Sequence, residues 1–225
     1  MKDISKFEGD RAKNYDQFIQ NWMPNYDSLL HCLPELLSSR MQTMKNKVLV
    51  VGSGTGNELE ILANAKKEWQ FLGIDPSPEM NVQAQEKLAD LPNVEIQEAY
   101  VKDLPEGIHF RAATLLLVLH FLPDDGNKLA LLRDIANRLK SGAPFVIAGI
   151  FGSKEELIVN LEILKTLFPP DFMPEDLEER LERIRDQIQY IPEARLIELF
   201  EEAGFERPTR FFQMAIWGAW VSRKK

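Results

Sequence analysis

Residues 48–60 read VLVVGSGTGNELE, and the fold turns on this stretch. The apolar run Val48–Val51 has the character of a buried strand, and Gly52-Ser53-Gly54-Thr55-Gly56 stops it. A helical stripe follows, with Leu59 and Leu62 three apart and Ala63 and Lys66 closing the same face. The order is strand, glycine-rich turn, helix start. Glycines let backbone approach a ligand because no Cβ intervenes. The free N–H groups of a helix start favour an anionic or hydrogen-bond-accepting group. The stretch is therefore read as a nucleotide- or nucleoside-binding turn.

Around it, strands alternate with helices. The expected strands cover residues 47–51, 69–74, 94–98, 113–118 and 144–150. The helices between them are expected at about 55–67, from the Ser77-Pro78-Glu79 start to about Ala89, and from Pro123-Asp124-Asp125 to Lys140, where Ser141-Gly142 stops the helix. This alternation implies a doubly wound α/β fold with a mostly parallel sheet covered on both faces.

Ahead of the first strand, residues 11–39 carry a helical pattern in two pieces divided at Pro24, with Pro34 as a kink point, while residues 1–10 are read as loosely held. After the fifth strand the regularity breaks. Residues 154–189 hold two helical stretches split by Pro169, Pro170 and Pro174, and the second is rich in Glu and Arg, with Glu178 and Glu182 opposed by Arg180 and Arg183. A helix over 192–203 and two β-like runs, 205–210 and 211–221, complete the chain. The expectation is one domain over 1–225, with an N-terminal helical cap (1–45) and a helical insertion (154–190).

The chain has 225 residues, 44% apolar and 28% charged, which suits one globular domain. A net charge of −8 argues against direct nucleic-acid binding, which needs a basic face. The single cysteine, Cys32, excludes an intramolecular disulfide and suits a reducing compartment. No apolar run approaches the roughly 20 residues that span a bilayer, and the charged start MKDISKFEGDR is unlike a signal peptide, so a cytoplasmic location is expected and no membrane partner.

Asp75 ends the second expected strand, 19 residues after Gly56. In doubly wound sheets that position faces the ligand crevice, and an acid there accepts hydrogen bonds from ribose hydroxyls. A dinucleotide fingerprint would read G-x-G-x-x-G. Here the third glycine comes one place early and Asn57 stands where that pattern wants glycine. After the fifth strand about 75 residues remain, few for a second substrate domain. A mononucleoside ligand fits better.

On these residues the chain resembles the class I S-adenosylmethionine-dependent methyltransferases. The resemblance rests on VLVVGSGTG (48–56), FLGIDPSPEM (71–80), VEIQEAYVKDLP (94–105), ATLLLVLHFLPD (113–124), LKSGAPFVIAG (139–149) and LFEEAGFE (199–206). It implies a Rossmann-like seven-stranded sheet with an antiparallel C-terminal strand, and S-adenosyl-L-methionine as cofactor. It further implies that Gly52, Ser53 and Gly54 lie against the methionine and ribose part, that Asp75 holds the ribose hydroxyls, and that Pro76 and Met80 flank the adenine. Val101 would offer a backbone N–H to the ring. Leu116, Leu117 and Val118 would pass beneath the sulfonium, and Tyr15 would close over the cofactor. Two positions depart from the pattern. Val50 stands where many relatives have an acid, and Tyr100 stands where the adenine-binding acid is usual, with Glu98 and Asp103 as nearby substitutes.

The implied activity is methyl transfer to a small-molecule acceptor by in-line displacement. The cap helices, the insertion and the aromatic C-terminal strands also resemble the carboxy-S-adenosylmethionine synthases of tRNA wobble-uridine modification, although FPPDFMPEDLEER (168–180) lacks their arginine-bearing motif and Arg180 is the nearest arginine. A non-catalytic S-adenosylmethionine-binding protein is the third reading, motivated by Val50 and Tyr100. Among titratable residues His120, after the fourth strand, is the candidate catalytic base, with a structural histidine as its alternative. His31 and His109 are read as local, and no Cys/His cluster has metal-ligand spacing, so no metal is expected. The insertion is read as a lid. Its stripe Leu157, Leu161, Leu164 and Phe168 is either core packing or the contact of a homodimer. Phe211, Phe212, Trp217 and Trp220 are read as a strand pair with one side in the core.

Overall fold

The computed structural model describes residues 14–41, 46–168 and 177–225. The expectations for residues 1–13 and for the prolines at 169, 170 and 174 lie outside them. Strand β1 (Lys47–Val51) lies inside the sheet, with a strand on either side. Its apolar run is continuous because both faces are covered. Val48 and Val50 join one core layer, and Leu49 and Val51 the other. Fully burying each such side chain is worth about 1.5–3 kcal/mol.

The flanking strands are β2 (Gln70–Asp75), β3 (Val94–Glu98), β4 (Ala112–Leu116), β5 (Pro144–Ile150), β6 (Thr209–Met214) and β7 (Trp217–Arg223). They form one seven-stranded sheet in the order β3-β2-β1-β4-β5-β7-β6. β1 to β5 run parallel and β7 is antiparallel to both its neighbours. The expected doubly wound sheet with an antiparallel C-terminal strand is thus present. Strand order reverses between β1 and β4, and such sheets open a crevice at that point.

The helices are α1 (Tyr15–Trp22), α2 (Tyr26–Ser38), α3 (Asn57–Ala65), α4 (Pro78–Lys87), α5 (Asn127–Asn137), α6 (Lys154–Leu167), α7 (Leu177–Gln187) and α8 (Glu193–Glu202). α2 continues through Pro34, with Leu29, Leu30, Leu33 and Leu37 buried beneath it. That burial outweighs the cost of about 3 kcal/mol for an interior proline. α4 starts as its sequence dictates, with Ser77 Oγ accepting the Met80 N–H at 3.3 Å and Pro78 in the first turn. Among the described residues no helix is long and apolar enough to cross a membrane.

Several boundaries differ from expectation, most clearly at α5, β4 and the C-terminal hairpin. α5 begins at Asn127 behind Gly126, not on the Pro-Asp-Asp run, and ends at Asn137. β4 stops at Leu116 instead of Val118, because Leu117 adopts φ +58 and leaves the strand. The C-terminal hairpin turns at Ala215 (φ +46), so its strands are 209–214 and 217–223. The apolar run through 211–221 gave no local mark of that turn.

The stripe Leu157, Leu161, Leu164 and Phe168 is buried within the chain, so it is core packing. The opposite side of α6 exposes Val159, Ile163 and Leu167. Phe168 stacks on Trp22 of α1 at 5.2 Å between centroids. Among the described residues no ion pair joins Arg180 to Glu178 or Glu182. Its guanidinium lies 5.0 Å over the Phe18 ring and 6.0 Å over Trp22, whereas Arg183 pairs with Glu179 and Arg185 with Glu182. The described insertion helices therefore bear on α1. Trp217 and Trp220 are buried on opposite faces of β7, one in each core layer, so this strand is covered on both sides and not on one side as expected, and Trp220 Nε1 donates to Glu193 at 2.7 Å.

Candidate functional site

The glycine turn is tied to β2 from below. The Gly52 and Ser53 N–H groups both donate to the Ile74 carbonyl, at 2.8 and 3.1 Å, and the Gly54 N–H donates to Asp75 Oδ2 at 3.0 Å. Asp75 Oδ1 accepts the Ser77 N–H at 2.9 Å. Burial raises the Asp75 carboxyl pKa, and these two N–H donors oppose the rise. Each carboxylate oxygen keeps acceptor capacity for a further donor.

The glycines have distinct jobs. A Cβ on Gly52 would lie 2.3 Å from Val118 Cγ2, so this residue is glycine for packing as well as for its φ of +70. A Cβ on Gly54 (φ +52) would meet nothing within 4 Å. Bare backbone there faces open space.

That space is a cleft over the ends of β1 and β4, at the switch point. It is lined by Gly52, Ser53, Gly54 and Thr55 of the turn, Asn57 and Glu58 of α3, Leu116 and Leu117 after β4, and Tyr15 and Tyr26 from the cap helices. Leu117, a non-glycine residue at φ +58, donates its N–H to Ala148 O at 2.8 Å. Left-handed backbone at such a residue costs on the order of 1–3 kcal/mol and recurs at ligand sites. Tyr15 and Tyr26 both have phenol pKa values pushed up, chiefly by burial.

The cap is clasped to the turn by a polar network. Asp16 of α1 accepts from Thr55 Oγ1, from Asn57 Nδ2 at 2.9 Å, and from Lys87 Nζ of α4, which also reaches Asn57 Oδ1. These hydrogen bonds pull the Asp16 carboxyl pKa down against its burial.

The sequence-derived candidates divide into two groups. Tyr15, Gly52, Ser53, Gly54 and Leu117 meet in the cleft. Asp75, Pro76, Met80, Tyr100 and Val101 cluster beyond Gly54 at the ends of β2 and β3. Pro76 is half-buried, while Met80 and Val101 are nearly covered. The Tyr100 N–H donates to Asp103 Oδ2 at 3.3 Å, so Asp103 serves the short turn 101–103. The other neighbouring acid, Glu98, pairs in register with Asp75.

His120 is 5% exposed and lies outside the cleft lining. Its Nδ1 accepts the Ile150 N–H at 3.3 Å, and its carbonyl accepts the Gln189 N–H at 2.8 Å. Burial, with Lys128 nearby, pulls its pKa to about 3. The ring is therefore neutral at physiological pH, with the proton on Nε2. Lys128, 1% exposed, donates to Leu119 O at 2.7 Å and Gln189 O at 2.6 Å, and burial lowers its pKa to about 8. His31 bonds within its own helix, with Nδ1 2.7 Å from Asp27 O, and His109 is exposed.

Sequence reasoning missed Glu58. It is 6% exposed, its Oε1 has no hydrogen-bond partner, and burial raises its pKa to about 7. The Thr114 hydroxyl sits close enough to favour the carboxylate but outside hydrogen-bonding geometry. Ser53 Oγ, Thr114 Oγ1 and Tyr100 OH are likewise buried without a partner. Unmet buried polar atoms around bare glycine backbone fit an organic ligand that brings its own donors.

Residues 49–145 match the family model of a methyltransferase domain. No curated protein is matched by sequence. Among solved structures, the chain is similar to magnesium protoporphyrin IX methyltransferase from Synechocystis PCC 6803 with bound S-adenosylhomocysteine, at 15% identity and a TM-score of 0.70 over 98% of this chain and 97% of that one. It is similar to human N-acetylserotonin methyltransferase in complex with S-adenosylmethionine, at 19% identity and a TM-score of 0.64, covering 95% of this chain and 55% of that one. A third is the S-adenosylmethionine-dependent methyltransferase SibL, at 17% identity and a TM-score of 0.63, covering 88% and 54%. The chain spans about half the length of the latter two. The family match spans residues 49–145, less than half of the chain, and the likeness to these solved structures is one of fold, that of S-adenosylmethionine-dependent methyltransferases.

Proposed function

We propose that this protein is an S-adenosylmethionine-dependent methyltransferase that passes a methyl group to a small-molecule acceptor. The observation that carries the reading is the coincidence of three features at one switch point: the cleft, the bare Gly54 backbone and the Asp75 carboxylate tied to it. Two of the similar solved structures carry S-adenosylmethionine or its demethylated product in a similar fold.

Bound there, S-adenosylmethionine supplies an electrophilic methyl on a sulfonium. The protein's tasks are alignment and exclusion of water. Asp75 accepts the ribose hydroxyls, and Pro76, Met80, Tyr100 and Val101 frame the adenine. Gly52, Ser53, Gly54 and Leu117 line the methionine side, with Tyr15 closing the cleft. His120 acts by position. Its Nδ1 holds Ile150 and its carbonyl holds Gln189, so it ties the end of β5 to the end of the insertion. A neutral ring with a pKa near 3 is a poor base, so the reading favours an acceptor ionised by itself, such as a carboxylate or thiolate. The acidic chain and the acceptors named for magnesium protoporphyrin IX methyltransferase and N-acetylserotonin methyltransferase favour a small molecule.

The test is calorimetry with S-adenosylmethionine and S-adenosylhomocysteine, then mass spectrometry of the protein purified from cells. Micromolar binding and a co-purifying adenosyl thioether or sulfonium are expected. No binding of either ligand overturns the reading. A carboxylated adenosyl sulfonium would replace it with cofactor synthesis.

A further inference from the structure

We propose that Glu58 is the anion that receives the ammonium group of the cofactor's methionine end. This rests on the cofactor reading above. Among the described residues the cleft lining contains one carboxyl group, Glu58, and no lysine, arginine or histidine. The nearby cation Lys87 is taken up by Asp16 and Asn57. Glu58 Oε1 is buried and unpartnered, as are the Ser53 and Thr114 hydroxyl oxygens. Among the described residues the site thus presents acceptors, with no side-chain cation to meet a buried carboxylate.

A carboxylate in this setting is costly until a cation with N–H donors arrives. The sulfonium carries charge but no N–H, so it cannot satisfy Glu58 by hydrogen bonding. A primary ammonium brings three donors and a charge, enough for Glu58 and a neighbouring hydroxyl. Val50 leaves the strand beneath the turn without an acid, so Glu58 on the first turn of α3 supplies the negative charge on this side. The raised carboxyl pKa agrees: Glu58 is partly protonated in the empty protein at neutral pH, and an arriving ammonium displaces the proton.

The test compares S-adenosylhomocysteine, which has the amino-acid end, with 5′-methylthioadenosine, which lacks it. Calorimetry on wild type and Glu58→Gln is the measurement, with thermal melts verifying that the variant folds. The expected result is at least tenfold weaker S-adenosylhomocysteine binding by the variant, with 5′-methylthioadenosine affinity unchanged within about twofold. Independently of any variant, wild-type binding of S-adenosylhomocysteine at pH 7 is expected to release protons, read from buffers of different ionisation enthalpy. Equal S-adenosylhomocysteine affinity in wild type and variant overturns the assignment while the cofactor reading stands. Proton uptake on binding also overturns it, since Glu58 would then be donating to the ligand's carboxylate. If wild type binds neither compound, the cofactor reading itself fails.

Discussion

Asp75 Oδ2 accepts the Gly54 N–H at 3.0 Å, so the acid at the end of β2 also shapes the turn at the end of β1. Its other oxygen holds Ser77 at the start of α4. One side chain therefore couples two loops that the cofactor reading needs in register. Asp75→Ala is expected to weaken S-adenosylhomocysteine binding by about tenfold to a hundredfold, as hydrogen bonds to a charged group are worth about 1.5–3 kcal/mol. Asp75→Asn should fall between. Calorimetry checks both, and wild-type affinity in Asp75→Ala would remove the residue from the site.

Gly52 and Gly54 should separate packing from binding. Gly52→Ala drives a Cβ to 2.3 Å from Val118 Cγ2. Overpacking of this kind costs about 1–3 kcal/mol, and the positive φ adds about 1–2 kcal/mol, so the melting temperature should drop. Gly54→Ala carries the φ penalty without a clash. It should fold with a small stability loss yet lose ligand affinity, because its methyl enters the cleft. Paired thermal melts and binding isotherms distinguish the two.

Glu58 sets a stability window. Its folded pKa, about 7, lies above its ordinary value of 4.5. Between these values the folded chain holds a proton that the unfolded chain has released, so stability falls as pH rises from about 4.5 through 7. The whole loss is about 3 kcal/mol at about 1.4 kcal/mol per unit. Glu58→Gln should flatten that window and melt higher than wild type at pH 8. Equal melting of the two proteins at pH 8 would refute a buried, strained carboxyl.

His120 works in the opposite direction. Its folded pKa, about 3, lies below the ordinary 6.5. Its contribution is intact above pH 6.5 and is lost as pH falls toward 3, because the unfolded chain binds the proton first. His120→Asn is expected to destabilise the protein at pH 8, through the space left between Phe121 and Gly149 and the lost Ile150 contact. It should also reduce the acid sensitivity between pH 6.5 and 4. Denaturant midpoints across pH check both signs.

Trp22 joins the cap to the insertion through Phe168 and Arg180. Trp22→Ala should cost about 3–5 kcal/mol and speed proteolysis within 154–190. If S-adenosylmethionine slows cutting of that segment in wild type, the insertion responds to the cleft through α1; equal rates with and without ligand would argue against the lid.

Much of the fold was legible in short stretches. β1 and β5 lie where their apolar runs and flanking turn residues put them, because a doubly covered parallel strand leaves a continuous apolar signal. The turn 52–56 with Asp75 was legible for a similar reason: backbone that must come close to a ligand demands glycine, and a strand-end acid has a known place. The early end of β4 was not legible, since nothing local marks Leu117 for a left-handed conformation that its neighbours impose.

Tertiary structure decided the charged interior. Glu58 stands in the first turn of a helix, where an acid ordinarily faces water and favours the helix dipole. Lys128 reads as a surface residue beside the apolar positions of α5. Both are buried, because the cap helices close over one and the 119 and 189 carbonyls enclose the other. Sequence alone determined the α/β order, the bare-backbone turn and the Asp75 position, since each follows from local periodicity or backbone geometry. Which ionisable groups lie in low dielectric, whether His120 stays neutral, and which acid faces the cleft depend on segments distant in the chain, and only their packing decides them.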